Sequence, residues 1–404
     1  STLFPYTTLF RSLFQISLFS LGVLFSLGHA VSIRLNAESV SVLCFLGWSI
    51  LSALLGHGPM ASFSRITHWY AFGLFVFLLQ TLFQSRRDRQ RLFLSFLVAV
   101  DGVCVFYVSE WIGCPWFEKV REGMNASSLG NPDFVATSCA AMSVALLSKM
   151  WEARGKFRIG WSLNFLLLIV VLVSTQSRGG YFGFMVAALV FWWTRRKMPG
   201  KGYAFCFLLS ALTILFVPIF IFKSERPYTS LNDRVMIWNA TWRTALEKPW
   251  TGHGPGAWLS ISWKHRTQFI FEENRDLYAE NAVYRFYDHA HNDYLETTAE
   301  LGIPGAILFM GVILLALRKS FLDKGEASHA CATLAILVHA LFSFPLQTTV
   351  GMASLLLHWF LSLPEETECK AGKTAKNPLN MALALFSTLA LVYSIAWCGG
   401  VMTR

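Results

Sequence analysis

Charge is what this sequence has least of. Asp, Glu, Lys and Arg make up only 14% of its 404 residues, against 54% hydrophobic and 15% aromatic. Soluble domains carry about a quarter charged residues, so a soluble globular protein is excluded. Cysteine is absent from the longest polar stretch. Six of the eight cysteines (Cys44, Cys104, Cys139, Cys206, Cys331 and Cys398) lie inside apolar runs. With no CxxC pair and no disulfide framework, neither a structural zinc nor a stapled domain is indicated. The net charge of +10 would suit nucleic acid, but the basic residues gather in short clusters between apolar runs. That pattern reports membrane topology and not a polyanionic partner.

Apolar length is what the chain has in abundance. From Leu13 onward about twelve runs approach the ~20 residues that cross a bilayer. They fall roughly at 13–33, 39–63, 66–85, 92–112, 134–150, 159–175, 180–194, 203–222, 303–317, 327–344, 350–363 and 379–401. This predicts an all-α polytopic membrane protein with an N-terminal bundle (13–222), one large polar loop (223–302) and a C-terminal group of helices (303–404). The opening 1–12 has no initiator Met and resembles translated sequencing-adapter read-through, so it is set aside as non-native. Basic clusters at 86–91, 149–158, 194–201, 318–324 and 370–376 occupy every second loop. They are therefore assigned to the cytoplasm, and 113–133, 176–179, 223–302 and 345–349 to the opposite side.

The polar loop is about 80 residues, too long for a plain connector, and is expected to carry function. Asp233 to Glu247 reads as an amphipathic helix with Val235, Trp238 and Trp242 along one face and Asn232 or Asp233 as its cap. Lys248-Pro249 and the turn Gly252-His253-Gly254-Pro255-Gly256 end it. No Gly-Lys-Ser/Thr follows that turn, which excludes a nucleotide loop. Trp258 to Phe271, aromatic and basic, suits the lipid headgroup layer.

Several residues could carry chemistry. Arg178 follows an apolar run and precedes Gly179-Gly180, a turn open to close backbone approach. Its guanidinium suits either bidentate phosphate contact or snorkelling to headgroups. Arg234 is either a second phosphate-holding cation or an exposed helix charge, and Arg243 is a weaker candidate of the same kind. His291 suits a general base, since an imidazole of pKa near ~6.5 accepts a hydroxyl proton at neutral pH. Asp293 or Glu296 could orient its ring or hold an acceptor hydroxyl. The bland alternative is a histidine capping a helix over 292–301. In extended chain, His289-x-His291-x-Asp293 would put three metal-ligand types on one face. Asp101, mid-span, is either an ion or proton relay or a bond to a neighbouring helix.

The run His289-Ala-His291-Asn292-Asp293-Tyr294-Leu295-Glu296, followed by Glu300-Leu-Gly302-Ile-Pro304-Gly305, resembles the signature of the O-antigen ligase/polymerase superfamily. Ser177-Arg178-Gly179, Arg234-x-x-x-Trp238 before the glycine turn, and Phe344-Pro345-Leu346 match further motifs. The resemblance covers about Ser174 to Phe344, and the N-terminal third matches only in hydrophobicity. It implies a C-type glycosyltransferase-like membrane enzyme of a bacterial inner membrane, with its site facing the periplasm. Arg178 and Arg234 would hold the diphosphate of an undecaprenyl-diphosphate-linked glycan. His291, in the family's His-Asn-x-x-Leu context given by Asn292 and Leu295, would deprotonate the acceptor. The transfer would be inverting, metal-independent and without cofactor. The acceptor would be a growing glycan, lipid A-core or a protein hydroxyl; the non-enzymatic alternative is a transporter or flippase of lipid-linked glycan. One fewer span precedes the large loop than in the family's ligases, and one more follows it. That implies missing native sequence at the ends and leaves ligase against polymerase open.

Overall fold

The computed structural model describes residues 37–56, 59–83, 85–113, 127–195, 229–273, 287–322 and 326–364. The runs expected at 13–33, 203–222 and 379–401, and the adapter-like start, lie outside them. Among the described residues every regular element is helical. In chain order they are α1 (Ala37–Leu55), α2 (Pro59–Leu82), α3 (Arg86–Trp111), α4 (Pro132–Glu152), α5 (Gly155–Ser174) and α6 (Arg178–Arg195). Then come α7 (Thr229–Glu247), α8 (Trp258–Glu273), α9 (Asp293–Leu322), α10 (Ala327–His339) and α11 (Thr349–Ser362). Short 3-10 turns occur at Ser127–Leu129 and Pro345–Gln347. Helix is what lipid demands, because a chain without water must pair its own backbone groups. Four of them, α3, α4, α5 and α9, are long and apolar enough to cross a membrane.

The core is organised around α4, which is buried almost continuously from Val135 to Met150. Its small residues (Ala136, Ser138, Cys139, Ala140, Ala141, Ser143, Ala145) let α5, α6, α10 and α11 approach closely. On α6 the fit is tight enough to require glycine. A Cβ at Gly183 would stand 2.4 Å from the Ala335 carbonyl oxygen of α10, and one at Gly180 2.8 Å from Ala136 Cβ. The outer faces carry Leu54, Val98, Leu163 and Trp193, all well exposed. A bilayer would cover that apolar surface.

The polar segment has its own small core. Met236, Ile237 and Ala245 of α7 pack with Trp258, Phe269 and Ile270 of α8 and with Ala290 and Ala299. Trp258 Nε1 donates to Thr241 Oγ1 (2.9 Å), and the rim carries Arg243–Glu272 (2.7 Å) and Lys264–Glu247 (2.6 Å). Two expectations for α7 are corrected. It starts at Thr229, so Asn232 and Asp233 lie inside it and do not cap it. Its buried face is Met236, Ile237, Ala240, Thr241 and Thr244, whereas Val235 and Trp242 are 50% and 54% exposed. The helical period was legible, but its phase depends on where α8 docks.

α9 joins two expected elements, the helix over 292–301 and the apolar run from 303, which meet at a kink. It bends at Gly302 (φ 70°, ψ −179°), just before Pro304. A kink frees carbonyls that must find other partners. Ala299 O accepts from His253 N (3.3 Å), Glu300 O from Gly254 N (2.9 Å) and Ser52 Oγ (3.1 Å), and Leu301 O from Trp48 Nε1 (2.8 Å). Ile303 N donates to Pro249 O (2.7 Å). The glycine-rich turn is therefore a clamp for the α9 kink. At Gly252 (φ +69°) a Cβ would fall 2.2 Å from the Glu300 oxygen, so only glycine fits.

Candidate functional site

The kink and its clamp fix the direction in which α9 starts, and the histidine segment leads into that start. Asn292 is the N-cap: its Oδ1 accepts from the backbone N of Tyr294 (3.1 Å) and Leu295 (3.0 Å). His291 precedes it in left-handed backbone (φ 53°) and so is not the cap. Glu296, one turn into α9, folds back to this segment. Its Oε1 accepts from His289 Nδ1 (2.9 Å) and its Oε2 from Ala290 N (2.7 Å). Arg65 of α2 pairs with the same carboxylate (3.6 Å) and also donates to Gln347. Asp293 accepts from Leu346 N (2.9 Å), and its own N donates to Ala340 O (3.0 Å). The segment is thus pinned to α2 and to the turn after α10.

His291 is the one ring of this segment that these bonds leave uncommitted. It stands edge-on to Phe344 at 5.0 Å, and its buried Nδ1 has no hydrogen-bond partner among the described residues. Burial, helped by Arg234 and His289, pushes its pKa down to about 4, against the opposing pull of Asp133 and Glu296. It is neutral at physiological pH, the state a base requires. Glu296 orients the neighbouring His289 and not His291. The triplet His289, His291 and Asp293 does not converge: His289 turns to Glu296 and Asp293 to Leu346, and among the described residues no three His, Cys, Asp or Glu gather around a common point.

Beside His291 lies a second polar cluster that sequence reasoning missed. Asp133, in the first turn of α4, bonds to Ser177 and lies within electrostatic reach of His339, Arg234 and His291. His339 is buried at the end of α10, with Thr137 Oγ1 3.0 Å from Nδ1 and Ser177 Oγ 3.4 Å from Nε2. Gly179 makes room for that imidazole, since a Cβ there would stand 2.6 Å from its Cδ2. The Ser177-Arg178-Gly179 motif therefore seats His339, while Arg178 itself opens α6 with its side chain exposed. A histidine in an otherwise apolar run and an Asp opening another were the available signals.

Arg234, half-buried on α7, joins this group electrostatically, acting on His291, His339 and Asp133. Arg243 is instead held at the rim by Glu272. Asp101 accepts from Asn164 Nδ2 (2.7 Å), linking α3 to α5. That is the interhelical bond and offers no sign of a relay. The described arrangement, then, is a neutral imidazole within electrostatic reach of one guanidinium, with a second guanidinium one residue from Ser177 of the neighbouring Asp133–His339 cluster. Such a set can remove a proton from a hydroxyl while compensating the charge of an anion.

No curated protein gave a match to the chain. Residues 163–310, which run from α5 through the polar segment and its histidines into α9, match the family model described as O-antigen ligase, and over that segment the chain is similar to the O-antigen ligase/polymerase family of membrane proteins.

Proposed function

We propose that the protein transfers a glycan from an undecaprenyl-diphosphate carrier to an acceptor hydroxyl, at the periplasmic face of a bacterial inner membrane. Arg178 and Arg234 hold the diphosphate. His291 takes the acceptor's proton as its oxygen attacks the anomeric carbon from the face opposite the leaving diphosphate, so the centre inverts. The donor is already activated, so orientation and charge compensation supply most of the rate. Neither a metal nor another cofactor is required by this chemistry. The observation that carries the reading is the neutral His291 imidazole, with Arg234 in electrostatic reach and Nδ1 committed to no described residue.

The test is glycan transfer by the reconstituted chain in EDTA, offering growing glycan, lipid A-core and protein acceptors separately. His291→Ala lowers turnover by roughly 10²–10⁴-fold, and the productive acceptor separates polymerase, ligase and protein oligosaccharyltransferase. Wild-type protein that binds the lipid-linked donor yet moves glycan to none of them would replace this reading with transport.

A further inference from the structure

The turn after α10 carries a side chain on which three rings converge. The His289 imidazole stacks on Phe344 (4.5 Å, 25° between planes), His291 meets it edge-on (5.0 Å, 79°), and Phe134 closes another side (5.7 Å, 90°). Ser343 and Leu346, on either side of the Phe344-Pro345 pair, are themselves anchored to the site. Ser343 Oγ donates to Asp133 (3.4 Å), and Leu346 N donates to Asp293 (2.9 Å). His289 has a second restraint in its bond to Glu296, whereas His291 Nδ1 has no hydrogen-bond partner among the described residues. A histidine base is ordinarily oriented by a hydrogen bond to its far nitrogen. Here the ring's contact is aromatic, with Phe344.

Resting on the reading of His291 as the base, we propose that Phe344 is its positioning residue: the phenyl face orients the imidazole where a carboxylate does so in other enzymes. The arrangement has a chemical consequence. A carboxylate partner would favour the protonated ring, while a phenyl face holds it without adding charge. The left-handed backbone at His291 limits where the ring can go, and Phe344 selects among the remaining rotamers. The groups that act electrostatically on His291 are Asp133 of α4, Arg234 of α7, and His289 and Glu296 on either side of it. All four persist when Phe344 is replaced, so a change in the base reports the ring.

The experiment compares Phe344→Met, Phe344→Tyr and His291→Ala in the same reconstituted transfer assay, with donor binding measured on each. Phe344→Met keeps volume and removes the ring face. It should lower kcat roughly 10–100-fold with donor KM and donor binding unchanged, and Phe344→Tyr should restore wild-type turnover. The acid limb of kcat/KM in Phe344→Met should stay where it lies in the wild type, because the burial and the four charged groups that set it remain. Wild-type kcat in Phe344→Met, with His291→Ala inactive, overturns the role of Phe344 alone. So does a loss that falls equally on KM and is not rescued by tyrosine, which is simple unpacking. Full activity in His291→Ala overturns both this role and the reading beneath it. If Phe344→Met fails to fold, Phe344→Leu provides the same ring deletion and the same outcomes apply.

Discussion

His291 is a weakly basic imidazole, and its environment makes a signed prediction. Its pKa is lowered from 6.5 to about 4 by burial, so the unfolded chain takes up this proton at a higher pH than the folded one. Folding stability should therefore fall as pH drops through 6.5 toward 4, and level off below. Thermal melts of detergent-purified wild type and His291→Ala over that range check it: the wild type should lose more melting temperature on acidification, and parallel curves would refute the buried-neutral assignment. Glu296 serves a different purpose, holding His289, Ala290 and Arg65 at once. Glu296→Ala takes away the ion-pair partner of buried Arg65 and should destabilise by about 3–5 kcal/mol. Denaturant titration would measure it, and a cost below about 1 kcal/mol would mean the network is a surface-like pair. His291 was legible because its motif is local. Asp133 and His339 were not, since Thr137 meets His339 across 202 residues and Ser177 across 162.

At the scale of elements, the bend in α9 is where a helix start meets a membrane-length helix. Gly252 and Gly302 press backbone on backbone there, with Cβ positions 2.2 Å and 2.7 Å from the carbonyl oxygens of Glu300 and Trp250. Both also have positive φ, which costs about 1–3 kcal/mol for other residues before any collision. Gly252→Ala and Gly302→Ala should each lower the melting temperature and disorder the start of α9, read as faster proteolysis of the polar segment. Gly311, in the same helix with open space around its Cβ position, is the control: Gly311→Ala should stabilise by roughly 0.5–1 kcal/mol. Equal effects at all three would show that the clamp does not constrain the kink. The glycine turn and the Gly302-x-Pro304 pair were both visible as breakers in the sequence. Their mutual contact was not, because a breaker announces only that a regular element ends.

For the molecule as a whole, the exposed apolar residues divide into two sets. Val98 and Leu163 point outward from membrane-length α3 and α5, while Val235 points outward from the polar segment. Lysine in the first set should cost about 2.5–3.5 kcal/mol of insertion free energy, as for a charge in a bilayer. Lysine at position 235 should stay within about 0.5 kcal/mol of wild type. The share of protein recovered in the membrane fraction, and its thermal stability after extraction, would measure both. A neutral Val98→Lys would place that face of α3 away from lipid.

The helices were determined by the sequence alone, because uninterrupted apolar length leaves the backbone no partner but itself. Of the twelve expected runs, each of the nine on described residues contains helix, although that at 327–344 leaves helix after His339 and that at 39–63 covers the end of α1 and the start of α2. The histidine motif, read from adjacent residues, is what puts His291 forward as the proposed base. Tertiary structure decided what surrounds it: the face α7 buries, the clamp on α9, the convergence of Asp133, Arg234 and Phe344 on His291, and that of Asp133 and Arg234 on His339. Those depend on which small residues let two helices touch, and that is a property of pairs of surfaces that no single stretch of sequence contains.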